Sequence, residues 1–411
     1  MTYFAHSPIN TFPVLTPHHD MTHWHLTLAR ARTQFVVECQ GSDIVIQFNQ
    51  MKAWQVAKTV AWSVWLLCAP LLFMAGLTGA IQAFYYEIDE ALNPGFYRVP
   101  VSTPALPAPE LITRLEAAHP ELKVWYIQSA ARPGRTAMMT TEPRGTTPLA
   151  NDTFYVDPAT GREVGARLWG RCCLERENFA NWTYELHHSL TIGEPGRWLM
   201  GIAALVGIAA CITLLGQGAR RRDRRSLIAA ALALPSLVFA VTCVDMNLAD
   251  EVFKPSVSLF SKVTPDVYTL RGRMTGGFGE RRLSYADALY IGKVEGLMRG
   301  YGDMVGELYY SYGYNFYGMA YGYRDPSGLG NHWLYLDGQT GRVIGGRFPG
   351  EGTAGDRFIQ FQLPIHSGRI GGTLTKTLVC LLGLMIAGIA AFSLFRGYRQ
   401  FRALYDRVRT G

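Results

Sequence analysis

Apolar residues in this chain gather into four long runs, Thr59–Phe84, Trp198–Leu215, Leu227–Val244 and Thr377–Phe395, each nearly free of charge. A helix needs roughly 17–25 residues to cross about 30 Å of hydrocarbon, so the pattern predicts four membrane spans. The stretches between the runs are patterned differently. Leu111, Ile112, Leu115 and Ala118 recur at helical spacing and predict a helix over Pro109–His119. Strands are predicted at Lys123–Gln128, Arg135–Thr140 and from Phe154. The same order returns after the third run: a helix over Ser284–Met298, then strands near Gly306–Tyr310, Tyr314–Gly322 and from Trp333.

The repeat is sharpest at two turns. Asp157-x-x-Thr160-Gly161-Arg162 and Asp337-x-x-Thr340-Gly341-Arg342 each follow an alternating strand and precede a short one. Asp and Gly at those offsets suit a tight hairpin, so these aspartates read as structural and not catalytic. Each half of the chain then runs span, α+β segment, histidine-containing linker, span. The linkers are Leu186-His187-His188-Ser189-Leu190, followed by Gly193, Gly196 and Arg197, and Pro364-Ile365-His366-Ser367-Gly368-Arg369, followed by Gly371 and Gly372.

Charge fixes an orientation. Arg220, Arg221, Arg222, Arg224 and Arg225 crowd the loop between the second and third runs, and Arg396, Arg399, Arg402, Arg407 and Arg409 follow the fourth. Lys52 and Lys58 precede the first, whose exit is the acidic Glu87-Ile88-Asp89-Glu90; Asp245, Asp250 and Glu251 mark the exit of the third. The positive-inside rule places the basic flanks and both termini in the cytoplasm and the two long segments on the far side, the periplasm of a bacterium. The divisions expected are a cytoplasmic, disordered tail at 1–50, spans at 51–85, 195–216, 227–245 and 373–396, external α+β modules at 86–194 and 246–372, an Arg loop at 217–226 and a cytoplasmic tail at 397–411. The net charge of +7 comes from these flanks and implies no nucleic-acid partner.

Other candidates carry less. His18, His19, His23 and His25 lack the spacing of a metal site. Cys68, Cys211, Cys243 and Cys380 fall in spans, where thiols behave as small apolar groups; Cys172 and Cys173 have no evident partner elsewhere. His119 and His332 read as surface or strand residues. The tyrosine-dense tract 309–323 suits a half-buried sheet, with a docking face as the alternative. No hydrolase triad, phosphate-cradling loop, His-Glu-x-x-His helix or dinucleotide fingerprint is present, so an enzyme here would take electrons from a redox partner or the quinone pool.

Ionisable side chains beside the hydrocarbon are costly without a task or partner, and His187 and His366 stand at two such places on the same side. Taken with Gly76-Leu77-Thr78-Gly79, Glu87-Ile88-Asp89, both strand–turn segments, Leu186-His187-x-Ser189-Leu190 with Gly193-x-x-Gly196-Arg197-Trp198, and His366-Ser367-Gly368-Arg369-Ile370-Gly371-Gly372, the chain resembles the PepSY-associated transmembrane family over roughly 52–400. That resemblance implies a four-span α-helical bundle in the inner membrane with two periplasmic α+β PepSY-like modules. In some relatives it also implies b-type haem that passes electrons to ferric siderophores. Carried onto this chain, His187 and His366 would ligate one haem b iron on the periplasmic side, and Arg197 and Arg369 would pair with its propionates. His188 is the alternative neighbour. Family members usually have histidine at the cytoplasmic starts of the first and third spans. Val56–Trp62 and Arg224–Ala229 have none here, which keeps open a non-enzymatic protein that binds or regulates a periplasmic partner.

Overall fold

A computed structural model describes residues 34–39, 42–47, 53–101, 104–129, 132–272, 281–325 and 327–410. The chain divides into two compact units, Met1–Ser63 and Val64–Gly411. Within the first, β1 (Gln34–Cys39) and β2 (Ser42–Gln47) pair as an antiparallel hairpin. The four amino-terminal histidines considered above lie outside the described residues.

Helix α1 (Ala53–Gln82) carries the first apolar run and is followed by short helices α2 (Tyr85–Leu92) and α3 (Pro94–Tyr97). Then come α4 (Ala108–Ala118) and strands β3 (Leu122–Gln128), β4 (Ala137–Pro143), β5 (Thr153–Val156) and β6 (Glu163–Arg167). Helix α5 (Phe179–Ser189) leads into the long α6 (Glu194–Arg221). Helix α7 (Arg224–Leu248) opens on Asp223, whose carboxylate accepts from the Arg225 and Ser226 amides, and passes through a π-helical turn into α8 (Lys254–Ser258). Such a cap satisfies donors the first turn leaves free.

The second half repeats the first. Helices α9 (Val267–Arg271) and α10 (Tyr285–Met298) precede β7 (Val305–Ser311), β8 (Phe316–Tyr321), β9 (Trp333–Asp337) and β10 (Val343–Arg347). Helix α11 (Ala354–His366) and a 3-10 turn lead into α12 (Gly372–Thr410). Among the described residues four candidate spans result; the second, third and fourth exceed their apolar runs because polar flanks remain helical, while the first, Thr59–Gln82, ends two residues short of its run.

The two segments read as separate modules each contribute four strands to one antiparallel sheet, ordered β10-β9-β8-β7-β3-β4-β5-β6. The joint is β3 against β7, with Tyr126 facing Tyr309, Ile127 facing Leu308 and Gln128 facing Glu307. Tyr126 and Tyr309 hold the same position in their strands, so the seam lies on the axis of the repeat. Helices α4 and α10 cover one face through Leu111, Ile112, Leu115, Tyr285 and Ala288, packed on Ile127, Met139, Leu308, Tyr310, Tyr317 and Leu334. Tyr310, Tyr317 and Tyr321 of the tyrosine tract are thus core residues. Both Asp-x-x-Thr-Gly-Arg turns close alike: the Gly161 and Gly341 amides donate to the Asp157 and Asp337 carbonyls at 2.8 and 2.9 Å. Both glycines take φ near +70° (73° and 70°), which a side chain disfavours.

Close helix contacts rest on small residues. A Cβ on Gly76 of α1 would come within 2.5 Å of the Gly383 carbonyl oxygen and 2.7 Å of the Ala387 amide nitrogen on α12. Backbone approach of this kind maximises dispersion where no hydrophobic effect drives association.

Candidate functional site

Helices α5 and α11 are amphipathic and too short to span a membrane, and each ends in the segment bearing its histidine. The rings of His187 and His366 face one another with centroids 6.0 Å apart and planes inclined by 44°. Each is anchored to the first span of its own half. His187 Nδ1 lies 3.0 Å from Thr78 Oγ1, and His366 Nδ1 lies 2.8 Å from Thr242 Oγ1.

The threonines settle the tautomers. Thr78 Oγ1 donates its single proton to the Met74 carbonyl at 2.6 Å, and Thr242 Oγ1 donates to the Phe239 carbonyl at 2.9 Å. A hydroxyl has one proton, so each Oγ1 must accept from the Nδ1–H of its histidine. Both rings are therefore protonated at Nδ1, with the lone pair on Nε2. A donor bond from the far ring nitrogen is the arrangement that orients imidazoles as metal ligands. Among the described residues no group of three or more His, Cys, Asp or Glu side chains gathers into a metal site.

Burial, then the facing His366 and the adjacent His188, push His187 down to about 3 against a small opposing pull from the Ala75 carbonyl; burial alone pushes His366 down to about 4. The folded rings thus stay neutral where the unfolded chain takes up protons, below about pH 6.5. Their contribution to stability is complete above that pH and is lost as pH falls from about 6.5 towards the folded values. In protein prepared without a metal cofactor, the midpoint of thermal unfolding should therefore fall between pH 6.5 and 4, and less steeply in a His187→Gln variant. Equal slopes would remove this reading.

The match of a protein-family model for the PepSY-associated TM region to residues 65–395 spans both histidines and the whole sheet. The chain belongs to the PepSY-associated TM family. No curated protein matches it.

Within this PepSY-associated chain the two arginines part company. Arg197 donates to Glu194 at 2.7 Å, to Glu251 at 2.6 Å and to the Asn247 carbonyl, joining the start of α6 to the end of α7. Its guanidinium is already matched by two carboxylates. Arg369 is half-buried in the turn before α12, and its Nε is buried with no hydrogen-bond partner. Of the two, only Arg369 lacks a carboxylate partner among the described residues. His188 turns away and stacks on Tyr184, with centroids 6.0 Å apart and planes 5° apart. His119 lies between Glu121 and Glu163, and His332 stacks on Tyr301.

Gly196 sets the α5–α6 corner. A Cβ there would fall inside the Ser189 carbonyl, two residues beyond His187. Gly196→Ala should displace the end of α5, lowering the unfolding midpoint in detergent and disturbing the His187–Thr78 bond. An unchanged midpoint would show that the corner relaxes freely. The role of the threonines is the part of the site not legible from sequence: Thr78 stands in the Gly76-Leu77-Thr78-Gly79 motif without evident chemistry, and Thr242 lies inside an apolar run.

Proposed function

We propose that this PepSY-associated membrane protein is a haem-binding reductase of ferric chelates such as siderophores. In this reading the sheet and the histidine pair face the bacterial periplasm and both termini the cytoplasm. The basic flanks support that orientation. The observation that carries the proposal is the pair of buried imidazoles, each with Nδ1 within hydrogen-bond distance of a threonine hydroxyl.

The donor set fits a haem iron. Two buried imidazoles with ring centroids 6.0 Å apart would together supply two nitrogen donors to one haem iron. Two protein ligands suit an ion whose other positions a macrocycle fills. His187 and His366 would hold the iron, and Arg369 would pair with a propionate through its unmatched guanidinium. Bound haem would supply one-electron transfer, with its potential set in part by the axial ligands. Thr78 and Thr242 keep both imidazoles neutral and oriented. The test is a reduced-minus-oxidised spectrum of the purified protein after haem-replete expression; absence of a b-type signal overturns the proposal.

The second reading, a non-enzymatic protein that binds or regulates a periplasmic partner, is favoured by one observation. Neither the first nor the third span starts with a histidine, so no second histidine pair continues the path to the cytoplasm. A haem-free protein that retains a specific partner through its sheet would support this reading.

A further inference from the structure

A cleft of about 450 Å³ lies beside the seam of the sheet, lined by Gln128 at the end of β3, Arg132, Pro133 and Arg135 in the β3–β4 loop, and Tyr323 and Arg324 after β8. That volume is in the range of small-ligand sites, and the charged lining is entirely arginine. Arg135 is already matched: it donates twice to Glu90 at 2.7 Å, and these bonds, with those from Arg98, hold the Glu90 carboxyl down to about 2. Arg132 and Arg324 are not. Arg324 is held by neutral groups, donating to Gln128 Oε1 at 3.2 Å and Tyr86 Oη at 2.9 Å, with its guanidinium 5.3 Å from the Tyr86 ring centroid. Among the described residues neither arginine has a carboxylate within salt-bridge distance.

The surroundings add positive charge. Arg324 and Arg347 both act on Arg369 as like charges. Two acidic groups lie nearby without reaching salt-bridge distance: Glu307, which accepts from Tyr126 Oη at 2.5 Å, acts on Arg324 as an opposite charge, and Asp325, which accepts from the Ser327 amide at 2.8 Å, feels the charge of Arg132. A guanidinium held in a fixed pose by stacking and neutral acceptors retains donors in the planar fork that suits carboxylate and phosphate. We propose that this cleft binds a small multivalent anion bearing carboxylate or phosphate groups, with Arg132 and Arg324 as its ligands. The cleft shares no lining residue with the histidine pair, and the proposal does not depend on bound haem. Tyr86 follows the first span closely, and Arg369 opens the fourth, so either a soluble anion or a lipid headgroup phosphate can supply the chemistry.

The test uses the full chain in detergent, titrated calorimetrically with citrate and with pyrophosphate, then in nanodiscs of phosphatidylcholine with or without phosphatidylglycerol. Saturable binding of either soluble anion, weakened at least tenfold in Arg132→Gln and in Arg324→Gln but unchanged in Arg144→Gln, is the expected result. If phosphatidylglycerol suppresses that binding, or if its enrichment around the protein is lost in Arg132→Gln, the headgroup is the occupant. Arg132 is exposed, so its variant remains informative if loss of Arg324 disturbs folding. No anion binding and no lipid enrichment, or binding unchanged in both cleft variants, overturns the proposal.

Discussion

His187→Ala and His366→Ala should each abolish the low-spin b-type spectrum expected of the wild-type protein, and the double variant should look no different from either single one. The reason is geometric. Two imidazoles with centroids 6.0 Å apart would hold one haem together, and removal of either would leave it a single protein ligand. A five-coordinate residue of binding, if retained, should show a high-spin spectrum and at least a tenfold loss of affinity. Thr78→Val and Thr242→Val separate ligation from mere proximity. They leave both Nε2 atoms in place but remove the acceptor that fixes the tautomer; partners of this kind typically contribute 10–100-fold to metal affinity. The threonine variants should therefore keep a b-type spectrum with weaker retention or a shifted potential. Wild-type haem content in all four variants would show that the pair is a structural bridge between α5 and α11.

What could be read from the sequence follows the range of each interaction. The spans were legible because lipid demands long apolar runs, and the two Asp-x-x-Thr-Gly-Arg turns because their chemistry is local. Strand positions followed for the same reason: β3 begins one residue from its expected start. The β3–β7 seam was not legible, since nothing in Tyr126 or Tyr309 states which edge its strand will meet. Helices α5 and α11 were read as linkers because they have only 11 and 13 residues and α11 contains Pro364. Position alone brought His187 and His366 into view, and the structure places them face to face. The ion pair of Arg197, expected beside a haem propionate, was hidden for a comparable reason: its partner Glu251 lies 54 residues away.

Breaking the Asp89–Arg167 pair should give the largest loss of stability. The sequence places Asp89 in the acidic exit of the first span, where carboxylates are ordinarily solvated, but it is fully buried, and Arg167 on β6 is 4 % exposed. The guanidinium meets the carboxylate with both terminal nitrogens, at 2.9 and 2.7 Å. Asn93 Nδ2 at 2.9 Å and the Tyr97 hydroxyl satisfy the remaining lone pairs of Asp89, while Arg167 also donates to the Glu177 carbonyl at 2.9 Å. One ion pair thus joins α2 and α3 to the edge of the sheet. Removing one partner leaves an uncompensated buried charge, at a cost of about 3–5 kcal/mol. Asp89→Leu and Arg167→Met should each lower the folded fraction sharply in detergent, measured by thermal unfolding and size-exclusion recovery. The double variant should lose markedly less than the sum, because both desolvation penalties vanish together. Additive losses would mean that the two side chains act separately, through packing on Tyr155 and Phe96, and that the ion pair does not couple α2 and α3 to the sheet.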